Sequence, residues 1–356
     1  KKRKEYDVSK VVYTNSELTA ARCSFRHYVQ YHLNLRNNRF YKRRSMNIGQ
    51  MVHAGIEIMY KTQVRLDELS EDKPLTEALE HVRGLAAIYD QQMVSDPNRI
   101  DAVFERDKLR DAGLAEIILE LYYHHIYLKE RYKVEHPESK FEVPIITPSG
   151  RCSTKYMFAG KRDAIVRNIN GDNELYLHEV KVKGKWDAND ERFMRIDDQT
   201  TGYLWASRQE GYNLRGVIYT VLLRSDSRFC LTAEAKKKKR LDSNYAYNPI
   251  LDYETVDDYI KRVRNNYLSN PDDYIIRRTF TRTDAEIANF QNRLYLKAIN
   301  CEQVKRMKSP FPEPDAMICP NCQAFEYCAE PTPETVARYY SVKKAKHEEL
   351  VEEETD

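Results

Sequence analysis

No stretch of about 18 uncharged apolar residues occurs in the 356-residue sequence, and no short apolar segment runs up to a small-residue cleavage site. Neither a membrane span nor a secretory signal is readable, and a cytoplasmic protein is the default expectation. No G-x-x-x-x-G-K-[ST] phosphate loop is present, so ATP-driven unwinding would have to come from another chain. Internal repeats are missing too. Charge of one sign is lacking: 58 Lys and Arg against 55 Asp and Glu leave a net +3, which argues against a coat of positive charge yet permits a local basic groove. Tryptophan is scarce, with two residues against 26 tyrosines. Tyrosines can stack on bases or hydrogen-bond phosphates, although most of so many belong to ordinary packing. The chain opens Lys1-Lys2-Arg3-Lys4 without methionine, as a trimmed chain or a piece of a longer one would, and 1–13 is read as a solvated basic tail.

What is present is 41% hydrophobic content in periodic runs, enough for a buried core. Thr14 and Glu17 have capping-box spacing, and Leu18, Ala21, Phe25, Tyr28 and His32 recur at helical intervals, which predicts a helix over 14–35 carrying Cys23. A second helix over 46–69 places Ile48, Val52, Ile56 and Met59 on one face, with His53 at its edge. Further helices are expected near 74–94 and 101–133, the latter with Phe104, Leu114, Ile117, Ile118 and Leu121. From 141 the period changes. Residues 141–146 read as a strand, and 157–169 and 174–182 as two more flanking Asn170-Gly171-Asp172, a hairpin signal. A helix over 190–211, a strand over 216–224 and a strand near 229–232 follow, with the basic run 236–240 placed in a solvated hairpin loop. Helices near 254–267 and 282–300 lead to a cysteine-rich segment, and a charged helix after Glu334 fades into an acidic end. The organisation expected is a helical N-terminal region over 14–135, an α/β core over 136–300, a cysteine segment over 301–333 and a charged tail over 334–356.

If the hairpin pairs symmetrically about Gly171, residues whose numbers sum to 342 face each other, and Asp163 lies opposite Glu179. Glu179 and Lys181 are two apart on one strand and share a face. Two adjacent carboxylates repel unless a cation lies between them, and Mg2+ or Mn2+ with oxygen ligands is the simplest remedy. Such an ion polarises a phosphodiester and acidifies bound water, while a lysine beside it orients or helps deprotonate that water. The same residues could equally form a cross-strand surface ion pair of little energetic worth.

Gly160-Lys161-Arg162-Asp163, Glu179-Val180-Lys181 and Gln199-Thr200-Thr201-Gly202-Tyr203 resemble, in order and spacing, the G-x-x-D, E-x-K and Q-x-x-x-Y series of RecB-like nucleases in the PD-(D/E)xK superfamily. His53 resembles the helical histidine that adds a metal ligand in that family, and Glu142 an upstream acidic residue often found there. The resemblance covers about 14–330, carried by about a dozen residues. It implies a restriction-endonuclease-like mixed sheet flanked by helices. It also implies metal held by His53, Asp163, Glu179 and the backbone carbonyl of Val180, Lys181 acting on the attacking water, and Gln199 and Tyr203 on the substrate phosphate. Gln199 and Tyr203, four apart on a helix, can reach one patch. The implied activity is a DNA exonuclease on single-stranded or duplex ends in recombination, repair or replication, with a helicase or recombination partner, in a bacterial or virus-infected cell. The competing readings are a non-cleaving nuclease-fold subunit that holds DNA ends, and an RNA-processing or CRISPR-adaptation nuclease.

Seven cysteines stand at 23, 152, 230, 301, 319, 322 and 328. The bunched Cys319-x2-Cys322-x5-Cys328 suggests metal rather than disulfides. The resemblance to the AddB and CRISPR-associated exonuclease groups names Cys23 as the fourth ligand of a [4Fe-4S] cluster, which would staple the first helix to the chain's end. Zn2+ on four cysteines is the chemical alternative, and Cys301 in place of Cys23 would make the site local to the C-terminal segment.

Overall fold

The computed structural model describes residues 10–38, 44–66, 73–91, 101–130, 132–169, 171–225, 227–307 and 310–351. The basic start at 1–9, the predicted helix end at 67–69, Asn170 in the expected turn and the acidic end at 352–356 lie outside them.

Thr14 caps a helix as its spacing predicts, its hydroxyl accepting from the Glu17 N–H at 3.3 Å. The helix does not run on to 35. Strand β1 (Val11–Thr14) leads into α1 (Asn15–Ala20), the chain breaks over 21–23, and Cys23 becomes the N-cap of α2 (Ser24–His27), followed by a π-helical turn over Tyr28–His32 and β2 (Leu35–Asn37). Then α3 (Arg44–Leu66), α4 (Lys73–Gln91) and α5 (Asp101–Tyr122) form the helical layer, and a π-helical turn and α6 (Leu128–Glu130) close it. Ile48, Val52, Ile56 and Met59 bury one face of α3, as the period predicts, against Leu114, Ile117, Ile118 and Leu121 of α5.

The strands β3 (Lys133–Pro137), β4 (Lys140–Ile146), β5 (Cys152–Lys161), β6 (Ala164–Arg167) and β7 (Leu175–Lys183) follow. The run read as one strand over 157–169 is two, because the chain kinks at Arg162-Asp163 and passes from one sheet to another. Two side chains explain the kink. Arg162, 1% exposed, turns inward to Ser207 Oγ (2.7 Å) and Glu210 (2.7 Å), while the Asp163 carboxylate accepts from the Val180 N–H at 2.7 Å where a strand carbonyl would otherwise stand. Beyond the kink the predicted register holds: Ala164 faces His178 and Arg167 faces Leu175.

Next come α7 (Ala188–Met194), α8 (Asp198–Gln209) and β8 (Leu214–Leu223). One helix was expected over 190–211, but Asp197 stops the first and caps the second, accepting from Gln199 N–H at 3.3 Å and Thr200 N–H at 3.0 Å. The strand expected near 229–232 reduces to one bridge, Leu231 with Tyr253, and the basic run is no hairpin loop but α9 (Ala233–Leu241), capped by Thr232. The chain continues through α10 (Val256–Ser269), β9 (Ile275–Phe280), α11 (Asp284–Arg306), α12 (Phe325–Ala329), α13 (Pro333–Tyr339) and β10 (Tyr340–Val342). Strand β9 was not anticipated, since Arg277 and Arg278 interrupt its apolar pattern.

The central sheet has the order β3-β6-β7-β8-β9, antiparallel except for the parallel β7–β8 pair; β1-β5-β4 form a second sheet and β10-β2 a third. Val180 of β7 packs into the core shared with α3, α5 and α10, whereas Leu177 packs into a second core with α8, α11 and the β1-β5-β4 sheet. The mixed α/β architecture is the one the sequence implied. The segment read as a tail folds back: β10 pairs with β2, and Lys346 reaches buried Glu17 at 2.6 Å.

Gly202 lies in α8 where an added Cβ would stand 2.8 Å from Phe290 and 3.0 Å from Phe158. Gly202→Ala is expected to destabilise the protein by about 1–3 kcal/mol through overpacking, despite alanine's better helix propensity. A lowered urea midpoint checks this, and an unchanged midpoint counts against so close a packing of α8 on α11.

Candidate metal-dependent active site

Strand β7 alternates its side chains, so Glu179, Lys181 and Lys183 share the face that carries Leu177, beneath α8. Glu179 is completely buried, with Lys181 Nζ at 3.3 Å from its Oε2. Its other oxygen, Oε1, is buried without a hydrogen-bond partner. Burial, joined by the charge of Asp163, pushes the Glu179 carboxyl up to about 8 against the pull of Lys181. Burial opposes the charge on Lys181, yet Glu179 and Asp163 hold that amine above the ordinary lysine range. It is an ammonium at neutral pH.

Asp163 stands at the β5–β6 kink, one oxygen on the Val180 N–H and the other 3.7 Å from His53 Nδ1 of α3. Burial lowers the His53 imidazole by more than Asp163 raises it, leaving it neutral and able to ligate. Tyr203 of α8 is 8% exposed; burial and the Glu179 charge raise its phenol above the ordinary range, and Gln199 hydrogen-bonds it. Asp163, Glu179, Lys181, Tyr203, Gln199 and His53 therefore lie in one neighbourhood. Gly160 belongs there for a steric reason: a Cβ would stand 2.7 Å from Phe141 and 2.9 Å from the Tyr203 ring.

Glu142 does not join them; it is exposed on β4. The acid that meets Asp163 is Glu138, in the β3–β4 turn, whose N–H donates to the Asp163 carbonyl at 2.8 Å. Burial and the Asp163 charge push Glu138 up to about 8, while Lys161 pairs with it at 2.6 Å and with Glu57 of α3 at 3.4 Å. Sequence reasoning passed over Glu138, Lys161 and Glu57. Lys161 lies inside the quoted G-x-x-D motif, and Glu57 sits one helical turn beyond His53, so both positions carried a readable signal. Tyr219 of β8, in register with Glu179 and acted on by the Lys181 charge, lay inside the strand expected over 216–224 without being singled out.

The donor set fits a hard divalent cation. Two carboxylates crowd each other, one of them fully buried with an unpartnered oxygen, and a neutral imidazole stands beside them. Among the described residues, however, no group of three or more His, Cys, Asp or Glu side chains is drawn together closely enough to hold a metal ion as it stands.

The same holds for the cysteines. Burial raises the Cys328 thiol, and Cys23, Cys319 and Cys322 each add to it, so the four sulfurs share one neighbourhood. Backbone N–H groups of Asp315 and Ala324 reach Cys319 Sγ at 3.2 Å and Cys322 Sγ at 3.4 Å. Cys301 is buried in the core of α11, its thiol pushed up to about 12 chiefly by burial, and Cys152 and Cys230 are exposed. No described helix is long and apolar enough to cross a membrane.

A sequence model of the PD-(D/E)XK nuclease superfamily matches residues 16–329. No curated protein matches the chain.

A carboxyl raised on folding keeps its proton to a higher pH in the folded chain than in the unfolded one. From about 4.5 to about 8 the folded state therefore binds more protons through Glu179, and that group's contribution to stability falls as pH rises. In EDTA, Glu179→Gln is expected to gain Tm relative to the parent protein as the buffer moves from pH 5 to pH 8. A difference that stays flat or shrinks over that window refutes the buried, crowded carboxyl.

Proposed function

Because the chain belongs to the PD-(D/E)XK nuclease superfamily, we propose that it is a Mg2+- or Mn2+-dependent deoxyribonuclease that acts as an exonuclease on DNA ends. The observation that carries the reading is Glu179: a fully buried carboxylate beside Asp163, with one oxygen on Lys181 and the other without a partner. Natural proteins rarely leave such a group unless something completes it.

Asp163, Glu179, the neutral His53 and the Val180 carbonyl would hold the cation. When bound, the ion supplies Lewis-acid polarisation of the scissile phosphate and acidifies the water that attacks it. Lys181, held as an ammonium, donates to that water or to a phosphate oxygen and stabilises the negative charge that grows there; its raised pKa suits it to this role rather than to that of the base. Tyr203 and Gln199, four apart on α8, would offer a hydroxyl and an amide to the phosphate. Burial beneath α8 keeps bulk water from screening these charges.

Cys23, Cys319, Cys322 and Cys328 would carry a [4Fe-4S] cluster of structural purpose. What supports this is the shared neighbourhood of the four sulfurs and the fastening of the N-terminal helices to the cysteine segment, through Gln30 with Gln323 at 2.7 Å and Ser24 with the Phe311 carbonyl at 3.1 Å. Without a nucleotide-binding loop of its own, an end-processing enzyme of this kind would work in recombination, repair or replication beside a helicase or other partner.

End-labelled single-stranded and duplex DNA, incubated with Mg2+, Mn2+ or EDTA, tests the reading. Cutting is expected only with the metals and is expected to fall by about 10²-fold or more in Lys181→Ala. Folded protein that cuts none of these substrates would leave a DNA-end-binding subunit instead. For the cluster, anaerobically purified protein should contain iron and show broad visible absorption that Cys23→Ser removes; zinc in its place would replace that assignment.

A further inference from the structure

We propose that the corner between α7 and α8, formed by Phe193 and Ile196 with Arg192 and Arg195, grips a single strand of nucleic acid as it enters the carboxylate site. This rests on the nuclease reading above and names the surface and strand form it implies.

The corner lies in line with the chemistry. Glu179, Lys181 and Lys183 succeed one another on one face of β7, each about 7 Å beyond the last. Lys183 then reaches Asp190 of α7 at 2.7 Å and lies 4.7 Å over the Trp186 ring. Trp186 in turn packs on Tyr219, with ring centroids 6.1 Å apart, and Tyr219 is in register with Glu179. From the other end, Asp197, the residue after Ile196, adds its charge to Glu179. The α7–α8 corner is therefore joined to the carboxylate site from both ends, through Lys183 and Trp186 on one side and Asp197 on the other.

The apolar exposure there is built rather than left over. Met194 packs into the core and its carbonyl accepts from buried Arg282 at 2.6 Å, so the backbone is anchored between Phe193 and Ile196. Yet these two side chains, three apart, are 52% and 69% exposed. The acids around them are engaged: Asp190 with Lys183, Glu191 with Arg278 and Trp186, Asp187 with Lys185 and its own helix, Asp197 with the start of α8, and Asp198 with Arg293 and Lys297, while Glu286, which feels the charge of Arg195, hydrogen-bonds Thr283. Exposed Arg192 and Arg195 are the cations that flank the apolar pair. Apolar faces beside cations complement unpaired bases beside phosphates. Intact duplex keeps its base faces stacked, and a phenyl ring and an isoleucine reach them only at the cost of unstacking a step.

The test measures binding of a short fluorescein-labelled deoxyoligonucleotide by anisotropy, in Ca2+ to suppress cutting, with the full chain and with Phe193→Ser/Ile196→Ser. Both positions are exposed, so folding should persist, and unchanged thermal melting verifies it. The double variant is expected to bind the single strand about fivefold or more weakly, with little change on blunt duplex and no change on a strand of abasic sites. Hydrolysis of bis-p-nitrophenyl phosphate in Mn2+ should be unaltered. Equal binding by the two proteins overturns the proposal, as does an equal loss on the abasic strand. A shift in sedimentation of the variant would identify a second copy of the chain as the occupant and overturn it too. If the parent protein cleaves no diester, the nuclease reading fails separately, because the anisotropy comparison does not depend on turnover.

Discussion

The buried meeting of Glu179 with Asp163 is the constraint on which this molecule is organised. Two carboxylates brought together away from water oppose folding, and the surroundings compensate only in part: Lys181 takes one oxygen of Glu179, the Val180 N–H takes one of Asp163, and the other Glu179 oxygen has no partner. Much of the nearby architecture follows from placing these groups. The β5–β6 kink exists because Arg162 turns into the protein and Asp163 turns toward β7. The break between α7 and α8 exists because Asp197 caps a helix that must start beside Glu179. Glycine is required at 160 because Phe141 and the Tyr203 ring occupy the space of a side chain.

A second constraint closes the chain on itself. Strand β10 pairs with β2, Lys346 and His347 reach buried Glu17, and Cys23 shares its surroundings with three cysteines about 300 positions later. Joining such distant segments carries a high entropic cost of loop closure, and tight local pairing offsets it. The helical region that supplies His53 is tied into the same body through α3, whose apolar face packs on α5 while its polar edge meets Asp163.

Much of the site was legible in the sequence, and the reason is geometric. Strand alternation put Glu179 and Lys181 on one face, and hairpin symmetry gave the register that the β6–β7 pair adopts. Helical spacing put Gln199 and Tyr203 within reach of one patch. What escaped was tertiary. A run of β-forming residues does not announce a kink whose cause is an arginine seeking Ser207 and Glu210, forty-five and more positions away. Four consecutive lysines looked like a loop tip, though Thr232 caps them into a helix whose Lys239 anchors on the carbonyls of Ser243 and Tyr245. Glu138 was passed over for Glu142 because spacing alone cannot say which acid a turn swings toward Asp163.

The central claim is that the Asp163–Glu179 pair is completed by a divalent cation. Anomalous diffraction at the manganese edge, from crystals grown in Mn2+, tests it most directly. A peak touching both carboxylates and lost in Glu179→Gln is the predicted result, whereas ordered carboxylates with no peak between them, or manganese bound only elsewhere, would contradict it.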